Sequence, residues 1–280
     1  MADLLKLTPE KLRELQLCEL EALRYFDEFC RSHDLTYYLC GGTLIGAVRH
    51  KGFIPWDDDT DVLMPRPDYE RFIELYKKEN KSERFVLVND DDTHFSGNIF
   101  ATINDTDHTM VKTYQENMDT PHGIPLDIFP IDGLADGKFA RYIQYFWVMI
   151  YSLFRAQMVP ENHGGLLSLG SKILLGIFRG KKLRYKIWKF AEKRMTRYSF
   201  DEAEYVAEFC AGFYFMKKKY PRRIYDGTLE AEFEGEKFLI MKGYDEYLRI
   251  PFGDYMELPP EEDRLPHHDI VKLELNKPCR

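Results

Sequence analysis

Residues 41–64 read GGTLIGAVRHKGFIPWDDDTDVLM, a glycine pair followed within one short span by four aspartates in five positions. Such a density of carboxylate does not serve packing. If the run is an extended strand, Asp57, Asp59 and Asp61 project from one face and Asp58 and Thr60 from the other. Three like charges on one face repel, and a hard divalent cation with oxygen ligands among them makes the arrangement favourable. A solvated acidic loop is the alternative. The apolar flanks Ile54-Pro55-Trp56 and Val62-Leu63-Met64 weigh against it, since they read as buried on both sides.

Upstream, Thr36-Tyr37-Tyr38-Leu39-Cys40 has strand composition. Gly41, Gly42 and Thr43 then lead into the apolar run 44–48, predicting strand, tight turn and helix, with amides at the helix start facing a phosphate. A plain turn is the other reading of the glycine pair. Arg49, His50 and Lys51 follow, and would supply cationic contacts to phosphate oxygens, the bidentate geometry suiting Arg49 better than Lys51. Downstream, residues 123–133 (GIPLDIFPIDG) form a buried-strand pattern in which Asp127 stands alone among apolar neighbours. A lone acid there is costly unless something pairs with it. Asp59, Asp61 and Asp127 together make a ligand set for Mg2+ or Mn2+ held against a diphosphate, with Asp57 either a second-metal ligand or a base. That pattern suits metal-dependent transfer from a nucleotide donor.

The remaining chain bounds this reading. At 280 residues, 44% hydrophobic and 15% aromatic, it can bury a large core, and a net charge of -8 with pI near 5.6 argues against nucleic-acid binding. Five cysteines without ligand spacing point to a reduced compartment and no zinc site. The charged start MADLLKLTPEKLRELQ lacks signal-peptide character and predicts an amphipathic helix capped by Thr8 and running to about Cys30, its apolar face including Leu12, Leu15, Leu17 and Leu20. Another helix is expected after Pro65, short strands at 85–88, 100–103 and 110–111, and a strand pair near 223–241. Residues 139–159 predict a helix buried in protein, too interrupted by polar residues to span a bilayer. Residues 166–197 carry ten Lys or Arg against the single acid Glu192, which suggests a membrane-surface or anionic-substrate face, or else an ordinary amphipathic helix with a solvated basic side. His267 and His268 are too close in sequence to share one metal, though either can contact a phosphate.

Three stretches, GGTLIGAVRHKGFIPWDDDTDVLMPRPDYERF, LDIFPIDG and YDEYLRIPFGDYMELPPEEDR with its histidines, resemble the LicD phosphotransferase family, which also includes the fukutin-related enzymes. The resemblance implies an α+β, nucleotidyltransferase-like mixed sheet flanked by helices, with a helical insertion: a core over 1–135, a helical region over 136–222 and a C-terminal segment, 223–280, packing back on the core. It implies transfer of a phospho-alcohol, phosphocholine first, from a CDP-linked donor to a hydroxyl of a cell-surface glycan or its lipid-linked precursor, in the cytoplasm, with 166–197 as a peripheral dock on the inner membrane face. By position Asp57, Asp59 and Asp61 match the family's acidic triplet, Asp127 its later acid and His268 its C-terminal histidine. Thr102 departs from the pattern, standing where relatives carry lysine. The competing readings are a nucleotidyltransferase that moves the nucleotide itself, and an inactive glycan-pathway scaffold. For a choline headgroup Trp56, Tyr37 and Tyr38 are available as aromatic walls, although a chain with 18 Tyr and 20 Phe offers such candidates by composition.

Overall fold

The computed structural model describes residues 4–159, 165–266, 268–276 and 279. Its first helix, α1 (Pro9–Ser32), opens as predicted, with Thr8 extended and its hydroxyl accepting the Lys11 amide at 3.3 Å. One position on the apolar face differs. Leu17 is exposed, while Gln16 and Glu19 are buried, because α1 packs against the aspartate loop and that contact needs polar groups.

β1 is only Tyr38–Leu39, and α2 (Gly41–Ile45) begins at the glycine pair itself, continuing as a π-helical turn over Gly46–His50. β2 (Asp61–Pro65) then starts at the last aspartate of the cluster. The expectation that Asp57, Asp59 and Asp61 alternate along a strand is therefore corrected: 57–60 is loop. Pro55 initiates a turn in which the Asp57 amide donates to the Ile54 carbonyl at 3.0 Å, so the chain bends before it can pair. From α1, the Gln16 amide group fixes this bend by donating to Ile54 O at 3.2 Å and Asp57 O at 3.0 Å.

α3 (Arg66–Glu79), β3 (Phe85–Val88), β4 (Ala101–Asp105), β5 (Thr109–Lys112) and β6 (Ile124–Gly133) complete the core. The main path of the sheet runs β1-β2-β6-β4-β3. β2 and β6 are parallel, and the other neighbours on that path are antiparallel, so the sheet is mixed. Parallel register sets Asp61 directly opposite Asp127, and β4 brings Thr102 to the other side of Asp127. α1 and α3 pack side by side on these strands, Phe26 and Phe72 standing 5.3 Å apart in one cluster with Val62, Ile103, Leu126 and Ile128.

The basic, apolar middle folds as three helices: α4 (Lys138–Ala156), α5 (Gly165–Ile177) and α6 (Lys181–Met195). Tyr151, Phe154, Trp188 and Met195 make their own cluster with Phe209 and Cys210. α4 is only partly buried in protein, contrary to expectation. Phe139, Tyr142, Ile143 and Phe146, spaced i, i+3, i+4 and i+7, are 79%, 72%, 43% and 56% exposed. Arg66 at the start of α3 and Asp132 near the end of β6 form a buried bidentate pair at 2.7 and 2.8 Å, and Glu192 of α6 approaches the same guanidinium at 4.0 Å.

β7 (Tyr205–Ala207), α7 (Phe213–Met216) and β8 (Tyr220–Pro221) follow, and β7 extends the sheet beyond Gly133. The hairpin β9 (Thr228–Phe233) and β10 (Glu236–Met241) fulfils the expected strand pair, and α8 (Tyr244–Phe252) packs beside it on the main core. Last, β11 (Ile270–Glu274) pairs antiparallel with β5, placing Ile270 opposite Lys112. Nothing in the local pattern signalled β11. Among the described residues, no helix is long and apolar enough to cross a membrane.

Candidate active site

The glycine pair makes room for carboxylates. Gly41 adopts φ +52°, and a Cβ there would lie 3.3 Å from Asp61 Oδ2; a Cβ on Gly42 would meet Asp57 Oδ2 at 2.5 Å. Thr43, buried, accepts the Asp61 amide on its hydroxyl at 2.9 Å and so anchors the start of β2. A cavity of about 670 Å³ opens over this turn, lined by Gly41, Gly42, Asp57, Asp59 and Asp61 on the aspartate-loop side, with Arg49 and Trp56 beside them. Phe215 of α7, Phe252 of α8 and residues of the segment from Asp254 to Pro260 line it too, with Ile45 and Ile54 completing the wall.

Electrostatics in this cluster are strongly perturbed. Burial, then the neighbouring Asp59 and Asp58, push the Asp57 carboxyl well above the usual carboxylate range. Burial, with Asp59, Asp127 and Asp57 close by, does the same to Asp61. Asp59 rises less, because His268 and Lys112 offset part of its burial. Asp57 Oδ2 and Asp61 Oδ1 are buried oxygens without a hydrogen-bond partner. Two acceptors held so, among further acids, form an all-oxygen donor set that suits a hard cation.

Three contributors escaped the sequence reading. Glu19 of α1, 1% exposed, stands behind the loop with Thr60 Oγ1 3.5 Å from its carboxylate, and burial and the three aspartates Asp57 to Asp59 push its pKa well up. Lys112 of β5, 7% exposed, brings its ammonium to Asp127, Asp59 and Asp61; their charges outweigh burial and raise its pKa. Asp127 thus has a cation beside it from the chain itself. Asp58, fully buried, accepts both the His268 amide (3.1 Å) and its ring Nδ1 (3.2 Å). Glu19's place on a helical face was a signal, an acid at a core position, and Asp58 belonged to the acidic run, although its bond to His268 was not legible there; Lys112 had no signal.

The remaining candidates divide. His268 joins the cluster, its Nε2 3.8 Å from Asp59; burial works against its charge, but the Asp58 bond and nearby Asp59 raise its pKa overall. Among the described residues, Asp58, Asp59 and His268 are the trio whose ligand atoms lie within 4.8 Å of one another, whereas Asp59, Asp61 and Asp127 do not close to that separation. Arg49 faces the cavity and donates to the carbonyls of Tyr255 at 2.6 Å and Glu257 at 3.1 Å. His50 accepts from Arg49 Nε and meets Trp56 edge to face, off the cavity wall. Lys51 is exposed at φ +59°, its carbonyl accepting the Glu234 amide of the β9–β10 turn. Thr102 is buried, donating to Asn104 Oδ1 at 2.6 Å. His267 lies outside the described residues.

Residues 34–141, which contain the glycine turn, the aspartate loop and Asp127, match the family model described as LicD/FKTN/FKRP, nucleotidyltransferase domain. The chain is 33% identical over 266 residues to the lipopolysaccharide cholinephosphotransferase LicD of Haemophilus influenzae, covering 92% of this chain and 96% of that protein. Shorter matches reach uncharacterized proteins of Rickettsia typhi (32% over 75 residues, 25% of this chain and 24% of that one) and Rickettsia prowazekii (36% over 68 residues, 22% and 26%). With similarity carried across nearly its whole length, the chain belongs to the LicD family.

Proposed function

We propose that this protein transfers phosphocholine from a CDP-linked donor to a hydroxyl of a cell-surface glycan or its lipid-linked precursor, on a nucleotidyltransferase-like core. The observation that carries this reading is the carboxylate-lined cavity in a chain similar, over 92% of its length, to a protein named a lipopolysaccharide cholinephosphotransferase. Asp59, Asp61 and Asp127 would hold Mg2+ or Mn2+, which supplies neutralisation of charge on the donor diphosphate; the orphaned oxygen of Asp61 and the acids around it support that fit. Arg49 and the amides of Gly41 and Gly42 border the phosphates. Asp57, its proton affinity raised by burial and neighbouring acids, takes the proton of the acceptor hydroxyl as that oxygen bonds to the phosphorus of phosphocholine. The bond from this phosphorus to the bridging oxygen breaks, and CMP departs with that oxygen. His268, held by Asp58, positions Asp59 through their 3.8 Å approach.

The description of the matched family model favours one second reading, movement of the nucleotide itself onto a substrate. Incubation with choline-labelled CDP-choline, a divalent cation and glycan acceptor separates the two. Release of CMP with label on the glycan supports phosphocholine transfer, whereas nucleotide on the acceptor refutes it.

The reading includes work at the cytoplasmic face of a membrane, with peripheral contact through 166–197. Supporting it, residues 138–197 hold thirteen Lys or Arg and two acids, a local charge of +11 in a chain of net -8. Beside these charges stand the exposed apolar row of α4 and, on α5, Leu169, Ile173 and Ile177 at i, i+4 and i+8, each more than half exposed. Apolar side chains beside an excess of positive charge suit an anionic bilayer surface.

A further inference from the structure

The cavity has an aromatic wall that belongs to the C-terminal half of the chain. Phe215, in the four-residue helix α7, and Phe252, the last residue of α8, place ring centroids 5.8 Å apart with planes tilted by 58°. Phe215 is half-buried and Phe252 is 36% exposed, so each presents ring surface to the cavity it lines. Gly253, at φ +65°, then turns the chain so that Asp254 lines the same space.

The other aromatic groups nearby are already engaged. Arg264 sits 5.5 Å from the centroid of Trp56, and Arg249 5.8 Å from that of Tyr255. Among the described residues no Lys or Arg is seated over Phe215 or Phe252. Tyr37 and Tyr38, candidates by sequence, are 0% and 2% exposed in the core and do not line the cavity.

A trimethylammonium group has no N–H to donate. Recognition must come from π faces and an adjacent carboxylate, the pairing that Phe215, Phe252 and Asp254 bring to one wall. We propose that these three residues form the subsite for the quaternary ammonium of the donor, with the phosphates directed to the aspartate loop on the remaining wall. The proposal rests on the phosphocholine reading above and deepens it by naming what recognises the headgroup. Cytosine stacking is the competing use of two such rings, and the choice of ligands separates them.

The test uses the full chain with a divalent cation and measures affinity for CMP, CDP-glycerol and CDP-choline by calorimetry. The variants are Phe215→Leu and Phe252→Leu, which keep apolar bulk but remove the π face, each checked for an unchanged melting temperature. The parent is expected to bind CDP-choline at least tenfold tighter than CDP-glycerol. Each variant should lose about five- to tenfold in CDP-choline affinity while CMP affinity holds. Parallel loss of CMP affinity assigns the rings to the base and overturns the proposal. Equal binding of CDP-choline and CDP-glycerol by the parent does so too. Phosphocholine transfer that persists with unaltered headgroup preference in both variants refutes the subsite while leaving the proposed function standing. Failure of any cytidine ligand to bind removes the donor reading and the subsite with it.

Discussion

Replacing Gly42 by alanine isolates the aspartate loop from the rest of the protein. The new methyl would stand 2.5 Å from Asp57 Oδ2, 3.3 Å from its Cγ and 3.4 Å from Oδ1. Ordinary contact begins near 3.4 Å, so the carboxylate must retreat by about 1 Å, and Asp57 is only 6% exposed with Gln16 holding its backbone from behind. Gly42 has no positive φ, so alanine fits the backbone; the helix gains about 1 kcal/mol in propensity against about 1–3 kcal/mol of overpacking. Stability should therefore fall by no more than about 2 kcal/mol. Catalysis should fall much further, by about a hundredfold, because a 1 Å misplacement of a reacting group costs on that order. The assay is CMP release and label transfer from CDP-choline, with Tm measured alongside. Gly176→Ala on α5 has nothing within 4 Å of the new methyl and serves as the control with unchanged rate. A folded Gly42→Ala protein working within threefold of the parent would show that the position of Asp57 does not matter, and the base assignment would fall.

Removal of one partner of the buried Arg66–Asp132 pair, as in Arg66→Met, should cost about 3–5 kcal/mol by urea denaturation, since it strands a carboxylate that is 1% exposed. The Arg66→Met, Asp132→Leu double variant should be markedly more stable than that single one; equal loss in both refutes the electrostatic account. Burial pushes the Glu208 carboxyl up to about 7, partly offset by a bond from Tyr247. A folded-state pKa raised above the ordinary 4.5 makes the folded state hold the extra proton, so stability from this group declines as pH rises from about 4.5 to 7, by about 3 kcal/mol in total. Glu208→Gln should consequently raise Tm relative to the parent more at pH 8 than at pH 5, and an equal effect at both values would exclude it. Flotation with anionic liposomes should recover the protein, and Phe139→Ser, Phe146→Ser together with neutralised Lys182, Lys186 and Lys193 should abolish recovery; binding that survives those changes places the membrane contact elsewhere.

Local chemistry carried much of the fold into the sequence. Thr8 capping α1, the helix after Pro65, the apolar strand around Asp127 and the 228–241 hairpin all depend on residues within a turn or two of each other, and all stand where their patterns put them. The aspartate cluster was equally legible, since four acids between apolar flanks have few packing explanations. What gathers them was misread, because a period of two describes a strand only where a partner strand pairs, and the Pro55 turn delays pairing until Asp61.

Tertiary structure alone decided the rest. Parallel register of β2 with β6 sets Asp61 against Asp127, from strands 66 positions apart at that pair, and no local pattern encodes a register. Lys112 enters the cluster through β5, and His268 arrives because β11 closes on that strand. Phe215 and Phe252 were two of 20 phenylalanines until α7 and α8 aligned them on one cavity. The same applies to α4, whose apolar period was plain while the absence of cover over Phe139, Tyr142 and Phe146 was not. Periodicity reports which side chains share a face. Only the packing of the whole chain determines what that face meets.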